Sequence, residues 1–307
     1  WRSWDKKEIA ARPFPGLRPF KTSEFQLFNG RDGQAEELID RLRKNHFLAV
    51  IGSSGTGKSS LIRAGLIPQL MAGYLGEAGT NWDVAICRPG KNPVANLAVA
   101  LSRIQSHSNE EAKIKKEFDV IEPLLNRSIY GILETNEILN PPDKPVKGKT
   151  NLLIIVDQFE ELFRFNRDNL GNQNIENHFI NLLLKASQNP AVSIFVIITM
   201  RSEFLGDCAK YRGLPEAINE GQYLVPQLNR EQIKEVIEDP ILIAGKKIAP
   251  GLVELLVNEI EESKAKKTLD QLPILQHALM RTYQEAMKAG ASEITYDHYL
   301  ATGGLEK

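Results

Sequence analysis

An octapeptide between two patterned segments is the strongest constraint on how this chain folds. Residues 47–51 form an apolar run typical of a buried strand, and residues 58–71 have the periodicity of a helix. Between them lies Gly52-Ser53-Ser54-Gly55-Thr56-Gly57-Lys58-Ser59, which fits the pattern G-x-x-x-x-G-K-[ST] at every position. The strand before it and the helix after it separate this match from a chance glycine-rich turn. We call residues 52–59 the phosphate loop.

The residue types of this loop indicate a site for a nucleoside triphosphate. Glycines let the backbone curl so that successive N–H groups point at phosphate oxygens, and the helix N-terminus adds its dipole. Lys58 would neutralise the outer phosphates, and Ser59 would offer its hydroxyl to Mg²⁺. We therefore predict that the segment from Ser53 to Ser60 binds ATP or ADP together with Mg²⁺.

A second apolar run, residues 152–156, is followed directly by Asp157. Parallel strands present their C-terminal ends at one sheet edge, so Asp157 is expected to face the phosphate loop and to bind Mg²⁺ through water. Glu160 and Glu161 follow within one turn, and either is a candidate for the base that activates the attacking water. Glu160 is the preferred candidate, although the two carboxylates are close enough to exchange roles. Alternatively, both glutamates simply favour the N-terminus of the next helix.

Arg201 ends another apolar run, residues 194–200. At the same sheet edge it would lie near the γ-phosphate and report whether ATP or ADP is bound; the alternative is an ordinary surface arginine. Between the strand of the phosphate loop and the strand of Asp157 there is room for a further strand, which residues 84–87 fill. An additional strand, together with a glutamate close to the carboxylate that binds Mg²⁺, is typical of ATPases that polarise the attacking water with a carboxylate. No N/T-K-x-D segment is present to read guanine.

Strands that alternate with helices, each strand a continuous apolar run, predict an α/β fold with a parallel sheet sandwiched between helices. We expect this P-loop NTPase domain at residues 34–227, after an extended N-terminal arm at residues 1–33. A small helical domain is predicted for residues 228–307, with more chain to follow in the full-length protein. A helix over residues 110–138 is expected to break near Pro123, and residues 140–150 are expected to form an exposed loop.

Composition sets limits on partners and location. Lys and Arg (38) nearly balance Asp and Glu (39), which argues against a nucleic-acid partner. No apolar run reaches the roughly 20 residues of a membrane span. Cys87 and Cys208 match no metal-ligand spacing and are expected to be reduced thiols, so a cytoplasmic location is predicted.

Several longer stretches of the sequence resemble the novel STAND NTPase type one family, an AAA+-related group. The matching stretches are Phe14-Pro15-Gly16-Leu17-Arg18-Pro19-Phe20, Phe28-Asn29-Gly30-Arg31, the phosphate loop continued by Ser60-Leu61-Ile62-Arg63-Ala64-Gly65-Leu66-Ile67-Pro68, Arg88-Pro89-Gly90, Asp157-Gln158-Phe159-Glu160-Glu161-Leu162-Phe163, Thr199-Met200-Arg201 and Leu272-Pro273-Ile274-Leu275-Gln276-His277-Ala278-Leu279. They occur in order over nearly the whole chain.

The resemblance implies properties that the residues alone do not show. Members are switches that rest with ADP and self-assemble when ATP is loaded, and effector and sensor domains flank the nucleotide module in the same chain. Many bacterial members act in signalling or defence. Gly30 and Arg31 would lie near the adenine, and Pro273 would contact the nucleotide from the helical domain. Asp270 and Gln271 replace the glycine of the family's G-x-P element, and a helix-start proline is an equal alternative for Pro273.

Three further functions compete with a slowly hydrolysing ATP-dependent signalling switch. A DNA-directed AAA+ loader or motor ATPase is the main alternative, and the balanced charge argues against it. A degenerate ATP-binding scaffold would require loss of the acids at positions 157, 160 and 161, which are all present. A small-molecule kinase is disfavoured because the sequence reveals no second substrate site.

Overall fold

The structure of the protein is a computed structural model, and it describes residues 6–141, 150–164, 173–189, 192–266 and 271–305. Within these ranges the strands are β1 Phe47–Gly52, β2 Trp82–Cys87, β3 Asn151–Val156, β4 Ile194–Arg201, β5 Gln222–Leu224, β6 Lys247–Ile248 and β7 Glu293–Ile294. The α-helices are α1 Lys6–Ala11, α2 Gln34–Asn45, α3 Lys58–Ser60, α4 Ile67–Met71, α5 Pro93–Ser106, α6 Glu111–Arg127, α7 Gly131–Leu139, α8 Glu161–Arg164, α9 Gln173–Ser187, α10 Leu214–Glu220, α11 Arg230–Ile243, α12 Pro250–Lys266, α13 Gln271–Lys288 and α14 Tyr296–Ala301.

Five strands form a parallel sheet in the order β2-β3-β4-β1-β5. Every residue of β1 and β3 is buried, as their continuous apolar sequences require for strands covered on both faces. The edge strand β2 is only partly buried. In the sheet β4, and not β2, separates β1 from β3. The predicted α/β fold with a parallel sheet is confirmed.

A π-helical segment follows the phosphate loop. The chain passes from α3 through Leu61–Leu66 to α4, and the N–H of Ile67 donates to the carbonyl of Ile62, five residues back. The sequence predicted one continuous helix here, and the π-helical turn is the difference. Gly65 allows neighbours to approach this segment, since a Cβ there would lie 3.4 Å from the ring of Phe28.

The predicted break at Pro123 is wrong. Helix α6 continues through Pro123 to Arg127, and α7 begins at Gly131. The chain turns back here because Gly131 packs directly on α6: a Cβ at this position would lie 2.4 Å from the carbonyl oxygen of Leu124. Only glycine permits that approach, so the break follows the glycine and not the proline. The loop predicted for residues 140–150 lies largely outside the described residues.

The region after residue 228 is mainly helical, as predicted. It begins with a capping box at Asn229, whose side chain accepts from the N–H of Gln232 while the Gln232 side chain accepts from the Asn229 N–H. The sequence did not reveal the short parallel ladder in which Lys247 pairs with Glu293 and Ile248 with Ile294. Each of these strands has two residues, too few for a periodic pattern.

By its contacts the chain groups into two compact units, each with its own apolar core. One unit comprises Glu37–Ser53 and Leu70–Leu224 and contains the five-stranded sheet; we call it the sheet unit. The other comprises the described residues of Trp1–Glu36, Ser54–Gln69 and Val225–Lys307; we call it the helical unit. The domain boundaries after residues 33 and 227 stay a prediction. Among the described residues, no helix combines the length and apolar character that a membrane crossing requires.

Candidate functional site

The sheet unit carries the acidic part of the candidate site at the C-terminal edge of its sheet. The ladder between β1 and β4 pairs Gly52 with Arg201, and the ladder between β3 and β4 pairs Val156 with Ile198. The first residue of the phosphate loop, Asp157 and Arg201 therefore all lie at this one edge, as the sequence predicted. Glu160 and Glu161 follow Asp157 in the turn that leads into α8.

Asp157 is buried and held by hydrogen bonds from two neighbouring strands. Its side chain accepts from the hydroxyl of Thr199 at 2.8 Å, measured from Oγ1 to Oδ1. Its own N–H donates to the carbonyl of Cys87, at the end of β2, at 2.8 Å. Only about 1% of Asp157 is exposed. An anion so deeply buried requires partners of this kind.

The turn after Asp157 has an unusual backbone. Gln158 has φ of +58°, a left-handed conformation that costs a residue other than glycine about 1–2 kcal/mol. Thr199 stabilises this turn, since its hydroxyl oxygen accepts from the N–H of Gln158 at 2.9 Å and its carbonyl accepts from the N–H of Phe159 at 2.8 Å. Strained residues of this kind concentrate at functional sites.

The two candidate bases have different surroundings. Glu160 is buried, and its carboxylate contacts Arg201 twice: the backbone N–H of Arg201 donates at 3.4 Å, and the guanidinium Nε lies 3.4 Å away. Glu161 instead accepts from the backbone N–H of Gly90, in the loop after β2, at 3.2 Å. The geometry therefore gives Glu160 a charged partner at the sheet edge and gives Glu161 a role in holding the Arg88-Pro89-Gly90 loop.

Arg201 is partly exposed, and its guanidinium lies between two acids. Its NH1 group is 3.8 Å from the carboxylate of Glu203, and about 36% of its side chain is accessible to solvent. The bond distances to both acids are long for charge-assisted hydrogen bonds. Arg201 can thus change partners without breaking a tight bidentate pair.

Cys87 lies beneath this edge and is chemically inert. Its burial, with a smaller contribution from the charge of Asp157, raises the pKa of the thiol to about 12. The thiol therefore stays protonated at neutral pH and serves as a small apolar residue. Cys87 assists the site through its backbone carbonyl, which holds Asp157.

From Ser54 onward the phosphate loop belongs to the helical unit, where the N-terminal segment contacts it. We call residues 13–31 the N-terminal strap. The guanidinium of Arg31 is buried and donates through NH2 to the carbonyl of Thr56 at 2.6 Å. Its NH1 group donates to the carbonyl of Pro226 at 2.7 Å and to the side chain of Gln34 at 3.1 Å. One residue after the loop, the hydroxyl of Ser60 accepts from the N–H of Phe20 at 3.2 Å.

The loop has the backbone that its glycines were expected to allow. Gly55 and Gly57 have φ of +71° and +85°, and the N–H of Leu61 donates to the carbonyl of Gly57. Lys58 and Ser59, the last two residues of the loop, are also the first two residues of α3. Ser53 and Ser54 precede Gly55 within the loop. The nucleotide contacts of residues 53–60 stay predictions.

Gly30 is required by packing within the helical unit. Its φ is +76°, and a Cβ there would lie 2.6 Å from the carbonyl oxygen of Gln232 and 2.8 Å from the side chain of Val236. The strap thus touches α11 at Gly30 and the phosphate loop at Arg31. The adenine contacts of both residues stay predictions.

Pro273 is the third residue of α13, in the first turn, where a proline removes no hydrogen bond within the helix. Its neighbour Leu272 approaches the phosphate loop, because a Cβ on Gly57 would lie 3.8 Å from the Leu272 side chain. The nucleotide contact of Pro273 stays a prediction.

One residue and one contact of the candidate site were not predicted from the sequence. Thr199 holds Asp157, and the only signal for it was a single hydroxyl residue in the apolar run of β4. The bond from Arg31 to Thr56 joins residues 25 positions apart and has no sequence pattern. It became visible only when the fold placed the strap beside the loop.

The sheet order and the loop after β1 define an α/β P-loop NTPase of the AAA+-like type. Comparison of sequences then gives the family: the family model of Novel STAND NTPase 1 matches residues 13–307, and the chain belongs to this family. The resemblance to this family that the sequence motifs indicated is confirmed. No curated protein sequence matches the chain.

Solved structures with this fold include the ORC2 protein of Aeropyrum pernix. Its complexes with ADPNP and ADP have a TM-score of 0.57 at 15% identity, covering 89% of this chain and 67% of that chain. Its ADP form has a TM-score of 0.58 at 15% identity, covering 89% and 68%. Drosophila ORC bound to DNA has a TM-score of 0.51 at 14% identity, covering 97% and 65%. The chain spans about two thirds of these relatives, and identities this low show the shared fold alone.

Proposed function

We propose that this chain is an ATP-dependent signalling switch that hydrolyses ATP slowly and changes conformation and self-assembly with its nucleotide. The observation that carries the proposal is the contact of Glu160 with Arg201. The preferred base for hydrolysis is buried against a cation that is itself partly exposed. A γ-phosphate would compete with Glu160 for this arginine, so binding of ATP and release of the base would be linked.

In this proposal the phosphate loop binds the phosphates of ATP or ADP. Lys58 neutralises the outer phosphates, and the N–H groups of residues 53–60 bind phosphate oxygens. Glu160 orients the attacking water, with Glu161 as the alternative base. Arg201 senses the γ-phosphate. Gly30, Arg31 and Pro273 contribute to the adenine side, as the family resemblance implies.

The residues proposed for Mg²⁺ fit the ion chemically. Mg²⁺ prefers hard oxygen ligands and keeps waters and substrate phosphates in its shell instead of a full protein cage. Asp157 offers a carboxylate fixed by Thr199, and Ser59 offers a hydroxyl. Among the described residues, no cluster of three or more His, Cys, Asp or Glu side chains is suited to hold a metal. When bound, Mg²⁺ would neutralise charge on the phosphates.

The N-terminal strap supports the switch in preference to a simple hydrolase. Arg31 and Phe20 contact the phosphate loop and the helix after it. The same strap contacts α11 through Gly30, and Phe14 packs against Tyr283 of α13 with ring centroids 6.4 Å apart. A change in the loop backbone would therefore be transmitted directly to helices of the helical unit. Effector and sensor domains in the full-length protein, and a role in bacterial signalling or defence, are part of the proposal by family membership.

The first test is ATP turnover by the purified chain, with and without DNA. We expect slow turnover that ignores DNA and leaves ADP bound, and loss of binding in Lys58→Ala. Glu160→Gln should abolish turnover while Glu161→Gln retains part of it. Arg201→Ala should uncouple conformation from nucleotide state more than it weakens binding; an unchanged difference in protease sensitivity between the ATP and ADP forms would contradict the sensing role.

A DNA-directed ATPase is the alternative. One solved structure with this fold is described as ORC bound to DNA, but this chain has a formal net charge of −1 at pH 7, and an electrostatic footprint for DNA is expected to be basic. Turnover that is fast and rises steeply with DNA would replace the switch by this alternative.

A further inference from the structure

Thr199 is the only residue of β4 besides Arg201 with a polar side chain, and about 1% of it is exposed. All its side-chain hydrogen bonds described above go to the turn that carries Asp157. Cys87 meets this turn through its backbone carbonyl, Gly90 through its backbone N–H, and Arg201 through its backbone N–H and its guanidinium. Thr199 is therefore placed to control the geometry of Asp157.

The direction of these hydrogen bonds is fixed by chemistry. The backbone N–H of Gln158 has only a hydrogen to offer, so the Thr199 hydroxyl oxygen accepts from it at 2.9 Å. The single hydrogen of the hydroxyl is then directed to the Oδ1 atom of Asp157 at 2.8 Å. With the Gln158 N–H as donor on one side and Asp157 Oδ1 as acceptor on the other, the Thr199 hydroxyl has a single orientation. It holds the carboxylate through that one oxygen.

The same strand end also holds the second acid of the turn. Arg201 lies two residues after Thr199, on the same face of β4, and contacts Glu160. β4 thus fixes both Asp157 and Glu160, each through a different side chain. The sheet positions the two acids from one strand.

We propose that Thr199 is a positioning residue for Mg²⁺ binding, because it fixes the Asp157 carboxylate in the orientation that the ion requires. The inference rests on the proposed function, in which Asp157 binds Mg²⁺. Mg²⁺ demands near-ideal octahedral geometry, so the water through which Asp157 is expected to bind the ion needs a carboxylate held in one orientation. Partners that orient a metal ligand typically account for about 10–100-fold in metal affinity.

Two substitutions separate the hydroxyl from the shape of the side chain. Thr199→Val removes the hydroxyl and keeps the branched side chain, whereas Thr199→Ser keeps the hydroxyl and removes a methyl group. Thr135→Val is the matched control: Thr135 is also fully buried in the sheet unit, and its hydroxyl donates to a helix carbonyl, that of Gly131, at 2.7 Å.

The experiment measures binding of a fluorescent ADP analogue to the intact chain across a titration of MgCl₂, so that no turnover is needed. We expect Thr199→Val to raise the half-saturating Mg²⁺ concentration by about 10–100-fold, with nucleotide affinity in EDTA unchanged. Thr199→Ser and Thr135→Val should keep the wild-type midpoint. Thermal unfolding of each variant confirms that it is folded.

Three outcomes would overturn the inference. The first is a wild-type Mg²⁺ midpoint in folded Thr199→Val, and the second is an equal shift in Thr135→Val. The third is a shift of about tenfold or more in Thr199→Ser, which decides the matter even if Thr199→Val does not fold. If the wild-type chain binds the nucleotide without any dependence on Mg²⁺, the proposed role of Asp157 fails, and the positioning role fails with it. If it binds no nucleotide at all, the proposed function itself is wrong.

Discussion

Replacing Arg31 tests whether the N-terminal strap fixes the phosphate loop. The guanidinium donates from two different nitrogens to the carbonyls of Thr56 and Pro226. In Arg31→Met the buried Thr56 carbonyl loses this donor, which costs about 1–3 kcal/mol. The carbonyl of Pro226 belongs to an exposed residue and can bind water instead, so its loss costs about 0.5–1.5 kcal/mol. Together, the two losses should destabilise the chain by about 1.5–4.5 kcal/mol.

Arg31→Lys is the sharper variant because it keeps the charge. Lysine has one nitrogen and lacks the planar fork, so it can replace only one of the two carbonyl contacts at their present geometry. We expect about half the loss of stability, and about a tenfold loss of ADP affinity, equivalent to about 1.4 kcal/mol, because the loop is no longer preformed.

Urea unfolding followed by circular dichroism gives the change in stability, and titration with a fluorescent ADP analogue gives the affinity. Arg41→Lys is the control, since Arg41 is exposed and donates to a single carbonyl, that of Gln222, at 2.8 Å. Its effect should stay within about 0.5 kcal/mol. The reasoning is refuted if Arg31→Lys matches the wild type in both assays, because the fork would then have no role.

Two further predictions concern packing and burial. Gly30→Ala should destabilise the chain by about 2–5 kcal/mol, the sum of a left-handed backbone and overpacking against Gln232. Gly33→Ala is the control and should cost only the backbone part, about 1–2 kcal/mol. Gly33 has a similar φ of +78°, but no atom lies within 4 Å of its added Cβ. Equal urea midpoints for the two variants would show that the contact of Gly30 with α11 is unimportant. Burial raises the pKa of both Cys87 and Cys208 to about 12. A disulfide reagent at pH 8 should therefore label neither thiol in the folded chain and both thiols in urea. Rapid labelling of the folded chain would contradict this burial.

The sequence was sufficient for the parts of the fold that depend on local pattern. Strands β1, β3 and β4 contain the continuous apolar runs from which the sequence predicted them. The break between α6 and α7 was misplaced because it depends on a contact between Gly131 and the backbone of Leu124. Proline is a strong local signal, but the tertiary contact decides where the chain turns.

The candidate site divides in the same way. Asp157 and Arg201 were predicted at this edge because the first follows a buried strand and the second ends one, and the edge of a parallel sheet collects such residues. The partners were not found: Glu160 with Arg201, Glu161 with Gly90, and Thr199 with Asp157 are pairs between separate strands or loops. A single sequence contains no pattern that fixes which residues of different strands meet.

These partners bear on the question that the sequence left open, which glutamate acts as the base. The bond of Glu161 to a backbone N–H of the loop after β2 gives it a structural role that glutamine can fill, since an amide oxygen also accepts a hydrogen bond. The contact of Glu160 with Arg201 depends on charge, and glutamine would weaken it. A charge-dependent contact of this kind can be altered by the charge of a triphosphate. This difference between the partners of the two glutamates is the argument for proposing Glu160 as the base, and the assignment stays a prediction.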